Sequence, residues 1–223
     1  MKALRPTVDG VVMRHMSAQG VVIACALLAG GASYWALANR SEPRVADAGF
    51  WFDEVSYQSP RLGAPVTSAD IETIARVARS ELASAFRGLP ITLSDWRDAR
   101  YRIRVVQELR DSRFLWREVA VAGESRAVPG FGGQGAVSFD FLASGAVAYA
   151  PDDASRASII EAIGRGIGRT AVHEFAHQLL PTAPIHDSTD VRSYEYASAA
   201  RSEQYFGELR WDLAWPLLQQ RLR

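Results

Sequence analysis

Between Thr67 and the stop made by Gly88 and Pro90, apolar residues recur at Ile71, Ile74, Ala75, Ala78, Leu82 and Phe86. This three-or-four spacing predicts an amphipathic helix, and Thr67 followed by Asp70 makes its capping box. The period then shortens to two. In Arg100–Val106 the arginines at 100, 102 and 104 share one face, while Tyr101, Ile103 and Val105 share the other, which predicts a strand with one solvated side. Further strands are predicted at 117–121, 136–141 and 145–149, the last two preceded by a glycine-rich turn over 130–135. That turn is no dinucleotide fingerprint, because no helix with an acidic partner follows it. From about Ser155 to Leu180 the helical period returns in Ile159, Ile160, Ile163, Ile167, Ala171 and Phe175, with Asp152 or Asp153 as the cap. Gly164, Gly166 and Gly168 either weaken the middle of this helix or let another element come close. Pro181 and Pro184 end it, and a last helix is expected over Ser193–Leu222, carrying Tyr194, Tyr196, Tyr205, Phe206, Trp211 and Trp215.

Ahead of these elements, residues 20–38 form an uncharged apolar run behind a lead, residues 1–19, that carries Lys2, Arg5 and Arg14. The run is close to the roughly 20 residues that cross a bilayer, with Tyr34 and Trp35 where interfacial aromatics sit. It reads as an N-terminal transmembrane anchor, or alternatively as a signal peptide cut near Ala36–Ala38. Either reading exports the rest. Residues 39–66 read as a linker and first docking segment, with an aromatic patch at Phe50–Phe52, and residues 67–223 as the principal domain. The chain is 48% hydrophobic, with 25 basic and 25 acidic residues, so no global field recruits nucleic acid. One cysteine, Cys25, excludes an internal disulfide framework and a cysteine-held metal cluster. Any metal would be held by His, Asp or Glu.

Four histidines occur in 223 residues, and three of them, His173, His177 and His186, fall within one short window. On a helix advancing about 100° per residue, His173 and His177 lie about 40° apart around the axis and one turn apart along it, so their imidazoles can converge on one ion. Glu174 falls between them, off the ion and near a water bound to it. The stretch His173-Glu174-Phe175-Ala176-His177 is thus an H-E-x-x-H arrangement, two ligands for Zn²⁺ and a general base on one rigid element. Zinc would acidify the water toward a pKa of ~7, and Glu174 would take its proton during attack on a carbonyl.

In these five residues the chain resembles the zincin metallopeptidases. The resemblance implies an α+β, zincin-like fold: a small mixed sheet packed on the active-site helix and a C-terminal helix. It also implies peptide bound along an edge strand upstream of that helix, and residues 136–149 stand in the right order for it. A catalytic zinc needs a third protein ligand. The metzincin extension fails, because Leu180 and Ala183 occupy its glycine and third-histidine positions. The gluzincin pattern takes a glutamate from the next helix, which here is Glu195, with Ser198 matching and Ala199 replacing the aspartate of that pattern. His186 is the alternative third ligand, with Asp187 and Asp190 behind it. If Glu195 binds the metal, His186, Tyr194 or Tyr196 would be the oxyanion donors.

The expectation is therefore an exported, membrane-anchored zinc peptidase that hydrolyses peptide or protein substrates with Glu174 as base, with no nucleic-acid partner. The alternative is a catalytically inactive zincin-like module that binds or scaffolds at the membrane.

Overall fold

The computed structural model describes residues 45–111, 119–128, 131–183 and 185–222. The expected anchor or signal at 20–38 and its lead lie outside them. Among the described residues, no helix is long and apolar enough to cross a membrane.

The protein is a mixed α+β structure whose five-stranded sheet runs in the order β2-β1-β3-β7-β6. Strands β1 (Ala46–Phe52), β2 (Ile91–Ser94), β3 (Tyr101–Val106) and β7 (Gly132–Ser138) are mutually parallel, and β6 (Gly123–Val128) pairs antiparallel with β7 at the sheet's edge. A separate two-stranded ladder joins β4 (Arg110–Asp111) to β5 (Val119–Ala120). The helices are α1 (Ser68–Ala85), α2 (Phe139–Tyr149), α3 (Arg156–Leu179), α4 (Glu203–Phe206) and α5 (Ala214–Arg221). Helix α3 packs on β3, β7 and β6, and α1 packs against α3. Phe50, Ile103, Val105 and Val137 meet Ile74, Leu82, Ile163, Ile167 and Phe175 in the core, all at most 1% exposed. Removing each such side chain from water stabilises the fold by about 1.5–3 kcal/mol.

Helix α1 starts where its capping box predicts: the Asp70 N–H donates to Thr67 Oγ1 at 3.3 Å, and the Thr67 N–H donates to Asp70 Oδ2 at 2.8 Å. Arg156, the first residue of α3, adds a two-pronged bond to the same carboxylate at 2.7 and 2.8 Å, tying the two helix N-termini together. The Arg156 guanidinium holds the Asp70 carboxyl well below its ordinary value, against an opposing effect of burial. A folded-state value below the unfolded one contributes stability that is complete above the ordinary carboxylate range and lost as the pH falls through it. The contribution of this pair to the urea midpoint should hold steady from neutrality to about pH 5 and drop below about pH 4. The share of that drop due to this pair, worth about 1–2 kcal/mol, should vanish in Asp70→Asn, and an unchanged acid profile in that variant would refute the assignment.

The α3 glycines serve close approach. A β-carbon at Gly164 would stand 2.8 Å from the Ile74 carbonyl oxygen, and one at Gly168 would stand 2.6 Å from that of Ala78, so α1 and α3 touch backbone to backbone. Gly166, on the opposite face, makes room for the Tyr205 ring. Gly168→Val is expected to cost about 2–3 kcal/mol, read as a thermal midpoint lowered by about 4–12 °C. An unshifted melt would mean that the helices are not in backbone contact.

The structure corrects several expectations. The aromatic patch at 50–52 belongs to β1, an internal strand, so the segment read as linker and docking element contributes to the sheet. Residues 145–149 are helical rather than extended: Ser138 Oγ accepts from the Phe141 N–H at 3.3 Å, and Phe139, Leu142, Ala143 and Ala146 bury at helical spacing. The edge strand is β6, not 136–149, whose strand portion lies inside the sheet as β7. Ser155, not Asp152 or Asp153, caps α3. The long helix over 193–222 is replaced by loops around two short helices, α4 and α5.

Candidate metal centre

The last two turns of α3 carry His173, Glu174 and His177 beneath the edge strand. Gln178 anchors this end of the helix: its amide accepts from the Arg102 N–H and donates to the Arg102 carbonyl of β3, both at 3.1 Å. It reaches β3 because Gly133 and Gly135 of β7 present no side chain, and a β-carbon on either would come within 3.2 Å of it. From β6, Ser125 Oγ donates to the Glu174 carbonyl at 3.1 Å. None of these contacts was anticipated. The alternation of glycines at 133 and 135, on the face turned toward the helix, was their only trace in the sequence.

His173 Nδ1 lies 2.7 Å from the Tyr194 carbonyl. A carbonyl only accepts, so Nδ1 carries the proton and the Nε2 of the neutral ring carries a lone pair. A contact of this kind orients a histidine whose other ring nitrogen binds a metal ion. Beyond Leu180 the chain turns back on Ile185, 3% exposed, and this buried anchor delivers His186 to the same point. The Nε2 atoms of the three histidines stand 2.9 Å (173–186), 3.1 Å (177–186) and 3.2 Å (173–177) apart. Three neutral imidazoles cannot satisfy such a triangle by hydrogen bonds, because its three edges need three Nε2 protons, each ring offers at most one, and His173 Nε2 has none to give. Ligands about 2.05 Å from a tetrahedral ion would stand about 3.3 Å apart, close to the spacing seen. The three side chains can therefore hold a metal ion, and they are the only such group of three or more His, Cys, Asp or Glu found among the described residues. Burial lowers the His173 value to about 3 and that of His177 to about 4, so protons compete little for these nitrogens near neutrality.

Glu195, expected as the third ligand, is instead buried at 1% exposure and turned toward the C-terminal segment. Its carboxylate accepts from the backbone N–H groups of Asp212 (2.8 Å), Leu213 (3.0 Å) and Ala214 (2.9 Å), where α5 begins. It is a helix-start cap, which removes it from the metal set. Asp190 is likewise committed, to Arg210 at 2.8 Å and to the Arg192 N–H at 2.9 Å. Of the expected oxyanion donors, His186 stands in the histidine triangle. Tyr194 packs its ring on Trp211, with centroids 5.1 Å apart, and offers the His173 contact through its carbonyl. The Tyr196 ring lines the cleft under the Arg201 guanidinium.

A cleft of about 640 Å³ runs along β6 past Glu174 and the three histidines, with Tyr194, Tyr196 and Arg201 on its far wall. Gly123 makes room for Glu174: a β-carbon there would stand 2.6 Å from its Oε1. Burial, with a smaller push from Glu124, raises the Glu174 carboxyl to about 8. A dication at the histidine triangle would favour the ionised form that a general base needs.

No family model, curated protein or solved structure matches this chain. The chemistry of the cleft is its own evidence.

Proposed function

We propose that the chain is a zinc-dependent peptidase of zincin type, exported and held at a membrane by its apolar N-terminal run. The observation that carries this reading is the three-imidazole triangle with Glu174 beside it in a cleft bordered by an edge strand. His173, His177 and His186 would hold the ion, which completes the expected ligand set with a histidine in place of Glu195. Three neutral nitrogen ligands suit zinc in a hydrolytic site and leave its fourth position open. When bound, such an ion supplies Lewis-acid polarisation of a carbonyl and acidification of water. Glu174 accepts the proton of the attacking water and returns it to the leaving amine. As the edge strand of the sheet, β6 can pair through its outward N–H and C=O groups with an extended peptide as an added strand, presenting one amide bond to Glu174. The uncharged run at 20–38 supports the anchored, exported placement.

The test is metal analysis of the purified full chain, followed by chelation and readdition. We expect one zinc per chain, peptide cleavage lost on chelation, and activity restored by zinc. Stoichiometric zinc without cleavage of any peptide in a broad library would leave a metal-holding binding module instead.

A further inference from the structure

Two guanidiniums are buried along the cleft, and they differ in their partners. Arg169, 5% exposed, is fully engaged: Nε and Nη2 donate to the Glu81 carboxylate at 3.0 and 3.3 Å, and Nη1 to the carbonyls of Glu203 and Gln204. Arg201, 8% exposed, has only backbone carbonyls, with Nη2 donating to Ser193 at 2.9 Å and Nη1 to Ser198. Its guanidinium lies 4.8 Å over the Tyr196 ring. Among the described residues no carboxylate comes within ion-pair distance of it, and its Nε–H is buried without any hydrogen-bond partner. A cation taken out of water without an ion pair is costly, and burial holds its pKa below the ordinary arginine value against smaller opposing effects of Glu203, Tyr196 and Tyr205. Arg201 lines the same cleft as the three histidines.

We propose that Arg201 receives a substrate carboxylate, so that the cleft selects peptides bearing an acidic group near the bond presented to Glu174. The proposal rests on the peptidase reading and names its substrate class. Two of the five N–H donors of Arg201 are bonded to backbone carbonyls, and the residue lines the cleft, where Glu203 acts on it only through space and makes no ion pair with it that would compete with an incoming carboxylate. Arg169, already paired with Glu81, adds no such demand.

The experiment measures binding rather than turnover. The zinc-loaded full chain carrying Glu174→Gln is titrated calorimetrically with alanine hexapeptides blocked at both ends, with Glu, Gln or Lys moved along the sequence. A neutral hexapeptide with a free C-terminus distinguishes a side-chain carboxylate from a terminal one. At one position the Glu peptide, or else the free-terminus peptide, should bind at least about 10-fold tighter than its neutral counterpart, the equivalent of about 1.4 kcal/mol. Arg201→Gln should bring that ratio within twofold of unity. Arg201→Lys, which keeps the charge and loses the fork, should retain part of it and decides the case if the glutamine variant does not fold. Equal affinities at every position, or a ratio that survives Arg201→Gln, overturns the proposal. Failure of the parent chain to hold zinc or to cleave any peptide strikes the peptidase reading instead. Intact cleavage with no acidic preference strikes only this one.

Discussion

Replacing Glu174 with glutamine is expected to lower kcat/KM for peptide hydrolysis by about 10³-fold or more, while zinc content stays at one per chain and the thermal midpoint stays equal or rises. The two halves of this expectation come from one feature. The Glu174 side chain is buried against Gly123, and burial pushes its carboxyl up to about 8, so the fold bears a cost for an ionisable group at this point. Glutamine fills the same volume and removes that cost, but it cannot accept a proton from water. A structural glutamate would behave in the opposite way, since losing it would lower the melting temperature and leave any hydrolysis in the surviving folded fraction. The decisive measurement is therefore the pair, steady-state kinetics beside a thermal melt. Unchanged kcat/KM in Glu174→Gln would remove the general base, and with it the hydrolytic reading.

The parts of this site that were legible in the sequence are those that one element can encode alone. The capping box of Thr67 and Asp70, the period-two alternation over 101–106 and the one-turn spacing of His173 and His177 each depend on residues a few positions apart. The structure realises all three as local geometry dictates. Strand β6 was missed because Gly123-Glu-Ser-Arg-Ala-Val128 buries no large apolar side chain: it lies at the edge, half-covered by α3, and its role is to present backbone. Helix α2 was misread because Gly145 and the small residues around it suit an extended segment equally well, and only the Ser138 cap and the burial of Leu142 and Ala146 decide for a helix. The glycines of α3 showed as an anomaly, but which partner each admits, α1 or Tyr205, is a long-range fact. The choice between His186 and Glu195 was of the same kind. Both lie within reach of His177 along the chain, and nothing local says which one turns inward. Burial of Ile185 directs the first toward the triangle, and three backbone N–H groups more than fifteen residues downstream hold the second away from it.

That division of labour between His186 and Glu195 makes the second large expectation, a crossed pair of effects. Glu195→Ala should lose about 3 kcal/mol or more, because three charge-assisted bonds disappear together and leave the N–H groups of Asp212, Leu213 and the buried Ala214 at the start of α5 without their acceptor. For a chain of this size that is a thermal midpoint lower by about 6–12 °C. Yet at a temperature where the variant is folded, it should still bind one zinc with an affinity close to that of the parent, since no atom of Glu195 belongs to the triangle. His186→Ala should do the reverse. Its ring is exposed, so the metal-free chain should melt within about 2 °C of the parent, while zinc affinity falls by more than about 100-fold as one of three ligands is lost. Competition with a chromophoric chelator and a melt in the presence of that chelator separate the two quantities. If Glu195→Ala abolished zinc binding with an intact melt, and His186→Ala left it unchanged, the gluzincin assignment would return and the histidine triangle would be an accident of packing. The two outcomes are opposite in both observables, so a single pair of variants decides which residue completes the metal site.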